Sequence, residues 1–88
     1  MTSDQAPVEE KVIELIADVF GRNKADLKNE TRFVQDLRAK SVKIIELIAL
    51  LEDEFGITIP FAEARKNQTI GDAVTYCERK LKEKNALN

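Results

Sequence analysis

The sequence predicts an all-α fold: a three-to-four-helix bundle with a long loop between the first and second helices. Three observations predict it. Apolar residues recur at helical spacing in separate segments of the chain. Gly21 and Gly56 stand just past two of those segments, where a left-handed residue can stop a helix. No run alternates apolar and polar residues for long enough to make a useful strand.

The first helix is expected from Pro7 or Val8 to Phe20. Val8, Val12, Leu15, Ile16 and Val19 form one apolar stripe. Pro7 suits a first-turn position that needs no N–H, and Glu9 and Glu10 suit the positive end of the helix dipole. Residues 21–40 show no sustained period. Asn23, Asp26, Asn29 and Thr31 supply turn chemistry, and Leu27, Phe33, Val34 and Leu37 are expected to pin this long loop to the core. Loops of that length in a small domain are often functional.

The second helix is expected from Val42 to Phe55, with Ser41 as its N-cap. Ile44, Leu47, Ile48, Leu51 and Phe55 give it a broad apolar face. Ile57-Thr58-Ile59-Pro60 is expected to be extended, because Pro60 disfavours helix at Ile59. A short third helix is expected at Phe61–Lys66. The last helix runs from Ile70 to Lys82, capped by Thr69 with Asp72 three residues on, a capping box with a shorter acid. Ile70, Ala73, Val74, Cys77 and Leu81 form its buried stripe. Residues 7–82 are read as one domain, 1–6 as a flexible N-terminus and 83–88 as a flexible C-terminal tail.

Composition narrows the function. The chain has 88 residues, 43% hydrophobic and 34% charged, which fits one soluble domain. No apolar run approaches the roughly 18 residues of a membrane span, and no leader suggests export. One cysteine and no histidine leave no intramolecular disulfide and no expected metal site, so a reducing cytoplasmic setting is expected. The net charge of -2 argues against a general nucleic-acid binder. No acid–base or nucleophile constellation points to an enzyme. A monomer is expected.

Phe33-Val34-Gln35-Asp36-Leu37-Arg38-Ala39-Lys40-Ser41-Val42, then Glu46-Leu47, then Leu51-Glu52-Asp53-Glu54-Phe55-Gly56-Ile57-Thr58-Ile59-Pro60, together resemble the acyl carrier protein family. Thr69-Ile70-Gly71-Asp72-Ala73 resembles the start of that family's last helix. The resemblance runs from Val8 to Leu81 and implies an acyl carrier protein-like bundle. It implies that Ser41 is the attachment serine, joined by a phosphopantetheinyl transferase to the 4'-phosphopantetheine of coenzyme A. The arm's thiol would hold acyl intermediates as thioesters, passed among acyl-transferring and acyl-synthesising enzymes of fatty acid, polyketide or related specialised synthesis. The residues agree with this. A helix N-terminus favours a phosphodiester, and nothing in the chain activates Ser41 as a nucleophile, so its chemistry must come from another enzyme.

Two residue sets follow. The apolar helix faces can part to admit an acyl chain, with Ile44, Ile48, Leu51, Ile59 and Ile70 as walls and Phe61 narrowing the space or facing a partner. Partner docking is expected on Arg38, Lys40, Val42, Lys43, Ile45, Glu46, Ala49 and Asp53. The sequence departs from the family around Ser41: Lys40 and Lys43 stand where relatives carry acids, and Arg38 where they carry glycine. Asn67 falls where relatives often have an apolar residue near the cargo. The basic head of the second helix also suits partners with an unusual docking face. Alternatives left open are an unmodified helical interaction module with a degenerate motif and a helix-turn-helix DNA binder.

Overall fold

The computed structural model describes residues 7–87, so the N-terminal expectation for residues 1–6 lies outside the described residues. Four helices occur in order: α1 (Val8–Phe20), α2 (Ser41–Phe55), α3 (Phe61–Ala64) and α4 (Ile70–Leu87). A 3-10 turn at Lys24–Asp26 interrupts the α1–α2 connection. Among the described residues there is one isolated β-bridge, Arg32 to Thr69, and no strand.

The α1 stripe behaves as its spacing requires. Val12, Ile16 and Val19 are buried, and Val8 and Leu15 pack half-buried against them. Pro7 takes the N-cap position rather than the first turn, and its carbonyl accepts the Glu10 and Lys11 N–H groups. Gly21 ends the helix at φ 63°, with Arg22 N–H returning to the Ala17 carbonyl. Gly56 ends α2 in the same conformation.

The long connection is pinned as expected at Leu27, Phe33 and Leu37, all buried. Val34 departs from expectation and is 67% exposed. It follows Phe33 in a run of turns and lines the rim of a cavity beside it rather than entering the core. Backbone bonds tie the loop to the start of α4: Phe33 N–H to the Gln68 carbonyl, Ile70 N–H to Thr31, and Gly71 N–H to Asn29 at 2.8 Å. A Cβ on Gly71 would sit 3.1 Å from the Asn29 oxygen, so this approach favours glycine. The Asp36 carboxylate accepts the Arg32 N–H at 2.8 Å, and that bond, with the Arg32 side chain, lowers its pKa.

Two helix boundaries differ from the sequence reading. The short α3 closes at Ala64, and residues 65–66 form a turn. The last helix passes Lys82 and continues to Leu87, so residues 83–87 are helical rather than a loose tail. No Gly or Pro stops it. Arg79 pairs with Glu83 one turn on, and Lys84 Nζ donates to the Phe55 carbonyl at 3.3 Å, bracing the extension against the end of α2. The Thr69 box forms as read: Asp72 N–H donates to Thr69 Oγ1, and Asp72 Oδ2 accepts from the Thr69 and Gln68 N–H groups.

Arg38 is the one non-glycine with positive φ among the described residues, at 55°. It turns the chain so that Ala39 N–H reaches the Phe33 carbonyl and Lys40 enters α2 extended. An L side chain in this region costs about 1–2 kcal/mol. Arg38→Gly removes that strain but loosens the unfolded chain, so a net gain of about 1 kcal/mol is expected, read from the urea midpoint.

Candidate functional site

The site is assembled where the long loop meets α2. Ser41 was expected to cap α2, but Lys40 is the N-cap, at φ -103° and ψ 162°. The Lys40 carbonyl accepts the Ile44 N–H at 3.0 Å, which makes Ser41 the first helical residue. No side-chain hydrogen bond caps the helix. Ser41 is exposed, and its hydroxyl makes no hydrogen bond among the described residues. Capping therefore does not account for this serine. The first-turn N–H groups around it lack intrahelical acceptors, and no acidic side chain occupies that turn.

Ser41 stands on a cavity of about 400 Å³ between the loop, α2, α3 and α4. Ile44, Leu47, Ile48 and Leu51 line it from α2, Ile59 and Phe61 from the following segment, and Phe33 and Ala39 from the loop. Five expected wall residues, Ile44, Ile48, Leu51, Ile59 and Phe61, thus share one space. Ile70 does not line it. Ile70 is 0% exposed and packed in the core, and its N–H at the start of α4 is held by the Thr31 carbonyl of the loop.

The lining also includes residues that the sequence reading did not assign to it: Ala64 and Arg65 beside α3, and Ala73, Tyr76 and Cys77 from α4. Asn67, half-buried, lies on the same wall. Tyr76 stands three residues after Ala73, a helical-spacing signal that could have placed it with the buried stripe. Its hydroxyl donates to Glu63 Oε1, tying α3 to α4. Burial, then that bond, pushes the Tyr76 hydroxyl up to about 12, and the same bond lowers Glu63. The Arg79 guanidinium lies 5.1 Å from the Tyr76 ring centre. That bond joins α4 to α3, whose Phe61 and Ala64 line the same cavity.

Cys77 is buried in this lining, and burial pushes its thiol up to about 11. The thiolate is the reactive form, so the native thiol should be inert. At pH 8 a maleimide reagent is expected to leave folded Cys77 unlabelled and to label it fully in denaturant, read by mass.

The expected docking residues lie on the open side of α2. Val42 and Ile45 are 73% and 56% exposed, and Lys43, Glu46, Ala49 and Asp53 are exposed beside them. Lys43 and Glu46 pair at 3.6 Å. Glu52 turns inward instead, accepting the Ile59 N–H at 2.8 Å and fixing the extended segment beside the cavity. Among the described residues there is no cluster of metal-ligating side chains, and no helix is long and apolar enough to cross a membrane.

Comparison with known proteins agrees with this geometry. The fold is similar to the solution structure of an apo doublet acyl carrier protein from prodigiosin biosynthesis, with a TM-score of 0.71 and 22% identity. That match covers 83% of this chain but 35% of the other, so the chain spans about a third of its length. A family model described as a phosphopantetheine attachment site matches residues 10–77, which contain the loop, Ser41 and the whole cavity lining. Those residues make up most of the chain, and it belongs to the phosphopantetheine attachment family.

Proposed function

We propose that this chain carries acyl intermediates as thioesters on a 4'-phosphopantetheine arm attached to Ser41. One observation carries the reading: an exposed serine hydroxyl, not used for capping, opens onto a largely apolar cavity. The arm, when attached, supplies the thiol that holds the acyl group. The residues here fit that group. The first turn of α2 offers N–H groups and a dipole suited to a phosphodiester, with no acidic side chain to oppose it.

With no histidine in the chain and no acidic side chain in the first turn of α2, the base that takes the Ser41 proton is supplied by the transferase. The Ser41 oxygen bonds to the phosphorus nearer pantetheine. The bond from that phosphorus to the bridging oxygen breaks, and its electrons leave on adenosine 3',5'-bisphosphate. The cavity walls then shelter the chain of the cargo. Burial gains about 0.8 kcal/mol per methylene, less the cost of parting Phe61 and α3 from the wall. The cargo would belong to fatty acid, polyketide or related specialised acyl synthesis, and a cytoplasmic setting accords with the inert, unpaired Cys77.

The test is incubation with coenzyme A and a broad-specificity phosphopantetheinyl transferase, followed by intact mass. The expected product carries one arm per chain. A chain that stays bare with several such enzymes would favour the unmodified interaction module.

A further inference from the structure

We propose that the surface around Ser41 docks onto a carboxylate-rich protein face on the enzymes that load this carrier. The inference rests on the carrier reading and adds the chemistry of the partner. Arg38 and Lys40 lead into Ser41, Lys43 follows it, and Arg65 stands on the rim of the same cavity. All four are exposed. Among the described residues, Arg38, Lys40 and Arg65 form no ion pair.

The acids of α2 are engaged within the molecule. Glu46 pairs with Lys43 at 3.6 Å, Glu54 with Lys11 at 3.7 Å, and Glu52 accepts the Ile59 N–H. Only Asp53 lacks such a bond among the described residues. The chain is therefore net negative, yet the field at the attachment serine is positive. Exposed Val42 and Ile45 sit among these cations. A groove with an apolar floor and a carboxylate rim complements both features.

Initial rates of arm transfer by the transferase of the protein's own host test this. The variant Arg38→Glu with Lys40→Glu is expected to lower kcat/KM by about tenfold at low salt, mainly through KM, with the gap narrowing as salt rises. Arg65→Glu, outside α2, should act in the same direction by about threefold. The control Lys28→Glu with Lys82→Glu makes the same change in net charge at exposed positions away from Ser41 and should stay within about twofold. Circular dichroism confirms the fold of each variant, and intact mass at long times should show every variant fully loaded.

A double variant that loads as fast as or faster than wild type would overturn the proposal. So would unchanged loading with loss of co-sedimentation on phosphatidylserine vesicles, which would assign the cations to a membrane. Loading of wild type that is indifferent to these charges removes only this inference. A wild type that never gains the arm removes the carrier reading with it.

Discussion

Ser41→Ala is expected to abolish arm attachment completely while leaving the fold as stable as before. The two halves of this expectation come from the same geometry. The hydroxyl is exposed and caps nothing, because Lys40 holds the N-cap position. Removing it should therefore change the unfolding free energy by less than about 0.5 kcal/mol, as for other exposed positions without special contacts. Alanine also suits the first turn of a helix. Loading, in contrast, needs that oxygen as the atom that bonds to phosphorus, and no other residue of the site offers a substitute. Cys77, the other nucleophile lining the cavity, is buried and held protonated. Intact mass after exhaustive incubation reads the first effect, and thermal unfolding the second. A variant that lost both loading and stability would mean that Ser41 serves the fold.

Ile16→Ala is expected to cost about 3–4 kcal/mol, as for a fully buried isoleucine. Ile16 is 0% exposed at the centre of the α1 stripe, packed in the cluster that also holds Leu47, Leu51, Ile70 and Val74. Removing three carbons there loses their transfer free energy and leaves a void that a close-packed interior only partly closes. A domain of this size sits near the low end of the usual 5–15 kcal/mol range, so the variant should be partly unfolded at about 37 °C. Urea denaturation measures the loss. A cost below about 1 kcal/mol would mean that α1 packs more loosely than its burial indicates.

Much of the fold was legible because helical periodicity is a local signal. α1 and the body of α2 bury the stripes that their spacing marks, and the Thr69–Asp72 box starts α4 where it was read. The errors fall where the deciding contact is distant in sequence or stereochemical. Serine is favoured at N-caps, so Ser41 read as one. The N-cap falls one residue earlier, on Lys40, a residue type with no cap preference, just after Arg38 takes a positive φ that an arginine does not advertise. The end of α4 was placed too early because residues 83–87 carry little apolar period. What braces them is the bond from Lys84 to the Phe55 carbonyl, 29 positions away.

The cavity shows the same division. The α2 walls follow from one helical face, and Ile59 from the extended segment before Pro60. Ile70 lies on the same stripe as Cys77, yet it is buried against the core while Cys77 reaches the cavity. A one-dimensional stripe cannot separate two sides of a crowded helix. The latch from Tyr76 to Glu63 joins residues 13 apart on different helices, and no local pattern marks it.

Purification of the protein from its native host, followed by intact mass and peptide mapping, is the most direct trial of Ser41 as the point of attachment. The expected spectrum shows chains heavier than the bare polypeptide by one phosphopantetheine, some with cargo, and fragments that place the added mass on residue 41. Only unmodified polypeptide, or an arm mapped to another residue, would contradict it.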